Sequence, residues 1–275
     1  MKISDLSIRP VFLKKSIALI AIGIFFVPHV FCQALPAGFS NVVDLTHSYD
    51  EHTVYWPTAE GFKLHVDFHG ITEKGFYYEA NSFSTAEHGG THLDSPIHFA
   101  ENQWTVEQIP VGHLMGPAAI IDIKAQCAES RDYQVRIADI QSWEKTHGLL
   151  PEGVIVLLNT GFAQYWPERV RYMGTDERGE QAVPKLHFPG LHPETATWLV
   201  ENRNINAIGL DTPSIDYGQS TLFKSHQHLF KANIPAFENV ANLDELPAKG
   251  AFVIALPMKI RSGSGAPLRI IALIP

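Results

Sequence analysis

Twelve consecutive residues, Glu87-His88-Gly89-Gly90-Thr91-His92-Leu93-Asp94-Ser95-Pro96-Ile97-His98, concentrate the groups in this chain that could do chemistry. Two neutral imidazoles and a carboxylate, His88, His92 and Asp94, form a donor set suited to a borderline divalent ion such as zinc or manganese. In a helix His88 and His92 would share a face while Asp94 pointed elsewhere, and Gly89-Gly90 is costly inside a helix. The segment is therefore expected to be an irregular loop, folded tightly at the glycines so that the three side chains meet. His98, on an approach stiffened by Pro96, is a fourth group that need not be spent on the ion and could act as general acid or base. The spacing HxxxHxD lacks the glutamate beside the first histidine of HExxH, which argues against a zincin protease. The plainer alternative is a polar surface loop whose glycines and proline serve only turn chemistry.

The elements that must carry this loop can be read from periodicity. Residues 62–68 alternate apolar and polar as a half-buried strand does, and residues 76–83, after the turn residue Gly75, form its partner in a hairpin. Four short β-branched runs, at 118–123, 154–158, 205–210 and 252–256, have the composition of strands buried on both faces, and 268–274 supplies a last strand. Helices are expected over 137–147, ended by Gly148, and over 193–204, where Pro193 suits a first helical position. Helices alternating with buried strands give an α/β class in one domain. Residues 165–189 hold three prolines and no clean period, which predicts a long functional loop.

The chain has 275 residues, 45% hydrophobic, with 29 acidic against 21 basic side chains and a net charge of -8. That is ample for a core, and the negative field argues against nucleic acid as a partner. Residues 1–15 carry Lys2, Arg9, Lys14 and Lys15 against Asp5, and residues 16–27 are uncharged and mostly apolar. This is the pattern of an export signal, and the run is shorter than the roughly 20 residues of a spanning helix. Residues 1–34 are accordingly expected to be removed, leaving a periplasmic or secreted domain over 35–275 with no stable membrane insertion; a retained N-terminal anchor is the alternative. Cleavage there takes the net charge to -11 and leaves Cys127 as the only cysteine, so no internal disulfide can form.

HGGTHLDSPIH resembles the H-x-G-T-H-x-D-x-P-x-H signature of the cyclase family of metal-dependent hydrolases, which includes bacterial kynurenine formamidases and isatin hydrolases. Every fixed position is filled, and the similarity extends to Asp44-Leu-Thr-His47, Tyr55-Trp-Pro57, the segment 211–216 and the segment 238–245. The resemblance implies that His88, His92 and Asp94 bind one metal, that Asp94 bridges to a second completed by His226 and Glu238, and that His98 is the acid/base. His228 competes with His226 for its place. It further implies a swivelling β/β/α fold with a mixed sheet, a homodimer, and one or two zinc or manganese ions per chain. The expected reaction is hydrolysis of the C–N bond of a small aryl formamide or cyclic amide by metal-activated water. The apparent export and the 165–189 segment depart from kynurenine formamidases, which keeps isatin-type opening of a lactam or lactone as an alternative. A non-catalytic exported protein binding metal or a small aromatic is the alternative from another class.

Trp56 is expected in the substrate pocket and His47 either there, behind a ligand, or in a purely structural role. Phe83, Phe99 and Trp104 could wall the same pocket, though aromatics beside a strand more often belong to a core. Asp211 and Asp216, flanking Pro213, are accounted for by turn chemistry. His65, His69, His187 and His192 have no spacing that demands a role.

Overall fold

The aliphatic runs become the centre of the molecule because they can be buried on both faces. The computed structural model describes residues 35–275; the export segment expected over residues 1–34 lies outside the described residues. In chain order the elements are β1 (Asn41–Asp44), β2 (Lys63–Ile71), β3 (Tyr77–Ser84), β4 (His92–Asp94), β5 (Met115–Asp122), α1 (Lys124–Glu129), β6 (Gln134–Val135), α2 (Ile137–His147), β7 (Val154–Asn159), α3 (Arg169–Met173), β8 (Gly190–Leu191), α4 (Pro193–Asn202), β9 (Ile205–Leu210), α5 (Lys224–Lys231), β10 (Ala236–Glu238), β11 (Lys249–Pro257) and β12 (Gly265–Ile274).

The main sheet runs β1-β12-β11-β5-β7-β9-β10-β4, and β4 pairs in addition with β12, so the sheet closes on itself. β5, β7, β9 and β10 are mutually parallel, and the remaining pairings are antiparallel. β12 meets β11 along one side and shares its other side between β4, at Gly265–Pro267, and β1, at Ile271–Ile274. This is the single-domain α/β architecture with a mixed sheet, the swivelling β/β/α fold, that the sequence led us to expect.

Alternation along the strands divides the apolar residues into two cores. Ala118, Ile120, Ile155 and Leu157 point inside the closed sheet with Leu93, Phe237, Val253 and Ile270. Ala119, Ile121, Val156 and Leu158 point outward, where Ile140 and Trp143 of α2, Ala196 and Leu199 of α4, and Leu229 and Phe230 of α5 cover them. No helix among the described residues is long and apolar enough to cross a membrane.

Four expectations need correction. The signature is irregular only through Thr91; His92–Asp94 is a buried strand, because its backbone is paired on both sides. β2 and β3 do form the expected hairpin, but they are exposed on both faces, with Val66 64% and Ile71 68% accessible. Alternation implies a buried face only where another layer covers it. The expected helix over 193–204 stops at Asn202, and Arg203 turns out to clasp Glu144 of α2 through Nε and Nη2, at 2.6 and 2.7 Å. The 165–189 segment is not a continuous loop: it holds α3 and a 3-10 turn at Glu180–Lys185, both too short to leave a period in the sequence.

Candidate metal centre

The loop that enters β4 is held by close backbone contact. Gly90 N–H donates to Val54 O at 3.0 Å, and a Cβ placed on Gly89 would fall 2.0 Å from Cδ1 of Tyr55. Gly90 has φ +59°, in the left-handed region, with the Tyr49 ring against its α-carbon. Thr91 Oγ1 donates to Asn239 O at 2.7 Å and accepts the His47 N–H at 2.9 Å, tying this loop to the residue that follows β10. The antiparallel register then sets His92 opposite Glu238 and Asp94 opposite Ala236. Residues nearly 150 positions apart thus share one ladder. His226 comes from α5, buried at its first turn.

These elements bring together two three-residue donor sets, His88/His92/Asp94 and Asp94/His226/Glu238, in each of which the ligand atoms lie within 4.8 Å of one another. Asp94 belongs to both. Its Oδ1 is 2.6 Å from His88 Nδ1 and 3.0 Å from His92 Nε2, and its Oδ2 is 3.3 Å from His226 Nε2. His226 Nε2 lies 3.2 Å from Glu238 Oε1, and His92 Nε2 lies 3.5 Å from Glu238 Oε2. His98 Nε2 stands outside both sets, 4.0 Å from Asp94 Oδ2, with its ring stacked on His88 at 3.8 Å. His228 is absent from the cluster.

The donor chemistry fits a divalent cation. His92 donates Nδ1–H to Gly90 O at 2.9 Å, which leaves Nε2 as a buried lone pair with no hydrogen-bond partner. His226 donates Nδ1–H to Asp216 Oδ2 at 2.6 Å, the carboxylate–imidazole arrangement that orients a metal ligand. Asp216 therefore does more than the turn chemistry expected of it, and it also accepts the Ser225 and His226 N–H groups. Burial works against charge on Asp94, His92 and His226, but their neighbours outweigh it. His88, His226 and His92 hold Asp94 well below the usual carboxylate range, while burial and the Asp94 charge raise Glu238. Asp216, Asp94 and Glu238 raise His226, and Asp94 and Glu238 raise His92, despite their burial. Such a site draws positive charge, and a bound metal would displace those protons. At His98, as at Glu238, burial prevails: it pushes the ring down to about 4 in spite of Asp94, with His88 acting in the same direction as burial.

A cavity of about 300 Å³ opens onto the cluster, walled by Val54, Tyr55, Trp56, Ala59, Phe99, Pro213 and Phe223. Trp56 lines this cavity, packed edge-on to Phe223 at 6.2 Å, and Phe99 joins the same wall. Phe223 was not anticipated. It precedes α5 with φ +47°, an uncommon conformation for a bulky residue, and no local pattern announces it. Phe83 and Trp104 do not line this cavity: Phe83 lies exposed on the hairpin and Trp104 packs against the core inside the sheet. His47 is also outside it. Its ring stacks on Trp166 at 4.1 Å beside a separate cleft shared with Arg269, and burial lowers it to about 4.

The Cyclase family model, described as "Putative cyclase", matches residues 43–217. Isatin hydrolase of Roseibium aggregatum is 30% identical over 88% of this chain and 94% of its own length. Kynurenine formamidase of Polaromonas naphthalenivorans is 25% identical over 88% of this chain and 95% of its own. Among solved structures, isatin hydrolase A of Ralstonia solanacearum superposes with a TM-score of 0.77 at 32% identity, over 86% of this chain and 92% of that one.

Proposed function

The chain belongs to the cyclase family of metal-dependent hydrolases, and from that premise we propose that it cleaves the C–N bond of a small, neutral aromatic amide, with a cyclic amide of the isatin kind favoured over an aryl formamide. The observation that carries the preference is the cavity wall. Apart from Thr58, Ser214 and Asn239 it is aromatic and aliphatic above the cluster, and among the described residues it holds no lysine or arginine. The free carboxylate of an amino-acid-bearing formamide, lying away from the reacting carbonyl, would find no lysine or arginine on this wall to pair with.

His88, His92 and Asp94 would hold one ion and Asp94, His226 and Glu238 another, the donor set suiting zinc or manganese. Bound divalent ions lower the pKa of water and polarise a carbonyl. His98, neutral at pH 7 because burial pushes it down to about 4, has a free imidazole nitrogen to take a proton from attacking water and return it to the departing nitrogen. Trp56, Phe99 and Phe223 would hold the aromatic ring; His47 touches the loop only through its backbone N–H to Thr91, and its imidazole lies outside the cavity.

Elemental mass spectrometry on the purified 35–275 protein, beside Glu238→Ala, tests the centre. About two ions per chain, falling to about one in the variant, are expected for the paired sets. No ion after incubation with zinc and manganese would reject the hydrolase. The reading as a non-catalytic binder is separated by His98→Ala, which a binder tolerates and a hydrolase does not.

Two wider features complete the proposal. Residues 1–34 act as an export signal, to be checked by N-terminal sequencing of the protein recovered outside the cytoplasm. The chain forms a homodimer through the hairpin, whose Leu64, Val66, Ile71, Phe76, Tyr77, Tyr78 and Phe83 are all at least half exposed in the single chain.

A further inference from the structure

We propose that Glu87 and Ser264 are positioning residues that fix which nitrogen of His88 carries hydrogen, and so present Nδ1 to the cluster as a lone pair; this rests on the reading of His88 as a metal ligand. Ser264 Oγ lies 2.7 Å from Glu87 Oε2 on one side and 3.0 Å from His88 Nε2 on the other. The same Glu87 oxygen accepts the backbone N–H groups of Ser264 at 2.9 Å and Gly265 at 3.2 Å, so it is an acceptor toward this loop throughout. A serine hydroxyl has one hydrogen to give. Donated to Glu87, it leaves Ser264 Oγ able only to accept from His88, which must then carry its hydrogen on Nε2. In the neutral ring Nδ1 is left with its lone pair, and Nδ1 is the atom that faces Asp94 Oδ1 at 2.6 Å, a contact between two acceptors that needs a proton or a metal ion to join them.

The surrounding backbone is shaped around this contact. A Cβ on Gly265 would lie 2.4 Å from Cε1 of His88, and one on Gly263 would lie 3.0 Å from Glu87 Oε1. The Gly263-Ser264-Gly265 stretch therefore lies flush against both side chains. Gly265 is also paired with Asp94 in the β4–β12 ladder, so the strand that carries the shared carboxylate anchors the relay. Each imidazole of the two donor sets thus has its outward nitrogen assigned: His92 by the Gly90 carbonyl, His226 by Asp216, and His88 by a hydroxyl that Glu87 orients. Because His98 stacks on His88 at 3.8 Å, the relay also sets the plane of the proposed acid/base.

The test titrates zinc alone into metal-free wild type, Ser264→Ala, Ser264→Thr and Glu87→Gln against a chromogenic chelator, with the melting temperature of each metal-free protein recorded. Ser264→Ala is expected to weaken one zinc equivalent about 10- to 100-fold and leave the other unchanged, at an unaltered metal-free melting temperature. Ser264→Thr restores affinity. Glu87→Gln, whose amide can donate to Ser264 and turn its hydroxyl toward His88, weakens the same equivalent. Wild-type zinc affinity in Ser264→Ala overturns the relay alone, whereas no zinc uptake by wild type overturns the metal reading and the relay with it. Long-range nitrogen–proton NMR of the zinc-loaded wild type decides independently of any variant's folding. His88 with hydrogen on Nε2 is expected, and hydrogen on Nδ1 overturns the proposal.

Discussion

At His98 burial, helped by the neighbouring imidazoles, outweighs the pull of Asp94, which leaves an uncharged ring 4.0 Å from the carboxylate shared by both donor sets. His98→Ala should therefore lower kcat by about 10²- to 10⁴-fold while metal content stays at the wild-type value, a pair of readings obtained from steady-state kinetics and elemental analysis. His47 offers a cleaner view of protonation, because it lies outside the donor sets. Its pKa in the folded chain, about 4, is below the unfolded value of 6.5, so between those limits the unfolded state binds more protons. The stability it contributes is present above about pH 6.5 and is lost as pH falls toward 4. His47→Phe, which retains the stack on Trp166, should flatten the fall in melting temperature across that window. His88, His92, Asp94 and His98 were legible because one loop gathers them in the sequence. His226 and Glu238 were reached only through resemblance, since nothing local links α5 to β4. Asp216 was misjudged because a turn aspartate and one that orients an imidazole look alike until the imidazole's position is known.

Among the elements, the signature loop and β4 carry the tightest constraint. A methyl group at Gly89 would overlap the Tyr55 ring, which also walls the cavity, so Gly89→Ala cannot be absorbed by a flexible side-chain tip. It should cost about 1–3 kcal/mol in urea unfolding and weaken metal binding together with stability. The buried strands were readable because β5, β7 and β9 have aliphatic residues on both faces, a pattern few other elements share. The hairpin's pairing was readable too, but its exposure was not, because alternation says nothing about what stands opposite. α3 escaped notice since five residues complete little more than one turn. β4 escaped as a strand because three residues between two glycines and a proline hold no period; its identity comes from partners far along the chain.

For the molecule as a whole, the hairpin is where exposed apolar side chains concentrate, and the proposed dimer is tested there. Val66→Glu combined with Tyr78→Glu should shift the species seen by light scattering from dimer to monomer; a monomer in the unaltered protein would rule out the proposed interface. Closure of the sheet was equally beyond sequence reading, since it depends on β4 meeting β10 on one edge and β12 on the other. That double pairing governs how the centre can be emptied. Neither edge of β4 is free to peel away, so the amides of this strand should exchange hydrogen with solvent only through opening of the whole sheet, among the slowest in the protein. A chelator, by contrast, needs only the cavity mouth. Metal should therefore leave and return in a chain that stays folded, with exchange at Leu93 nearly the same before and after stripping.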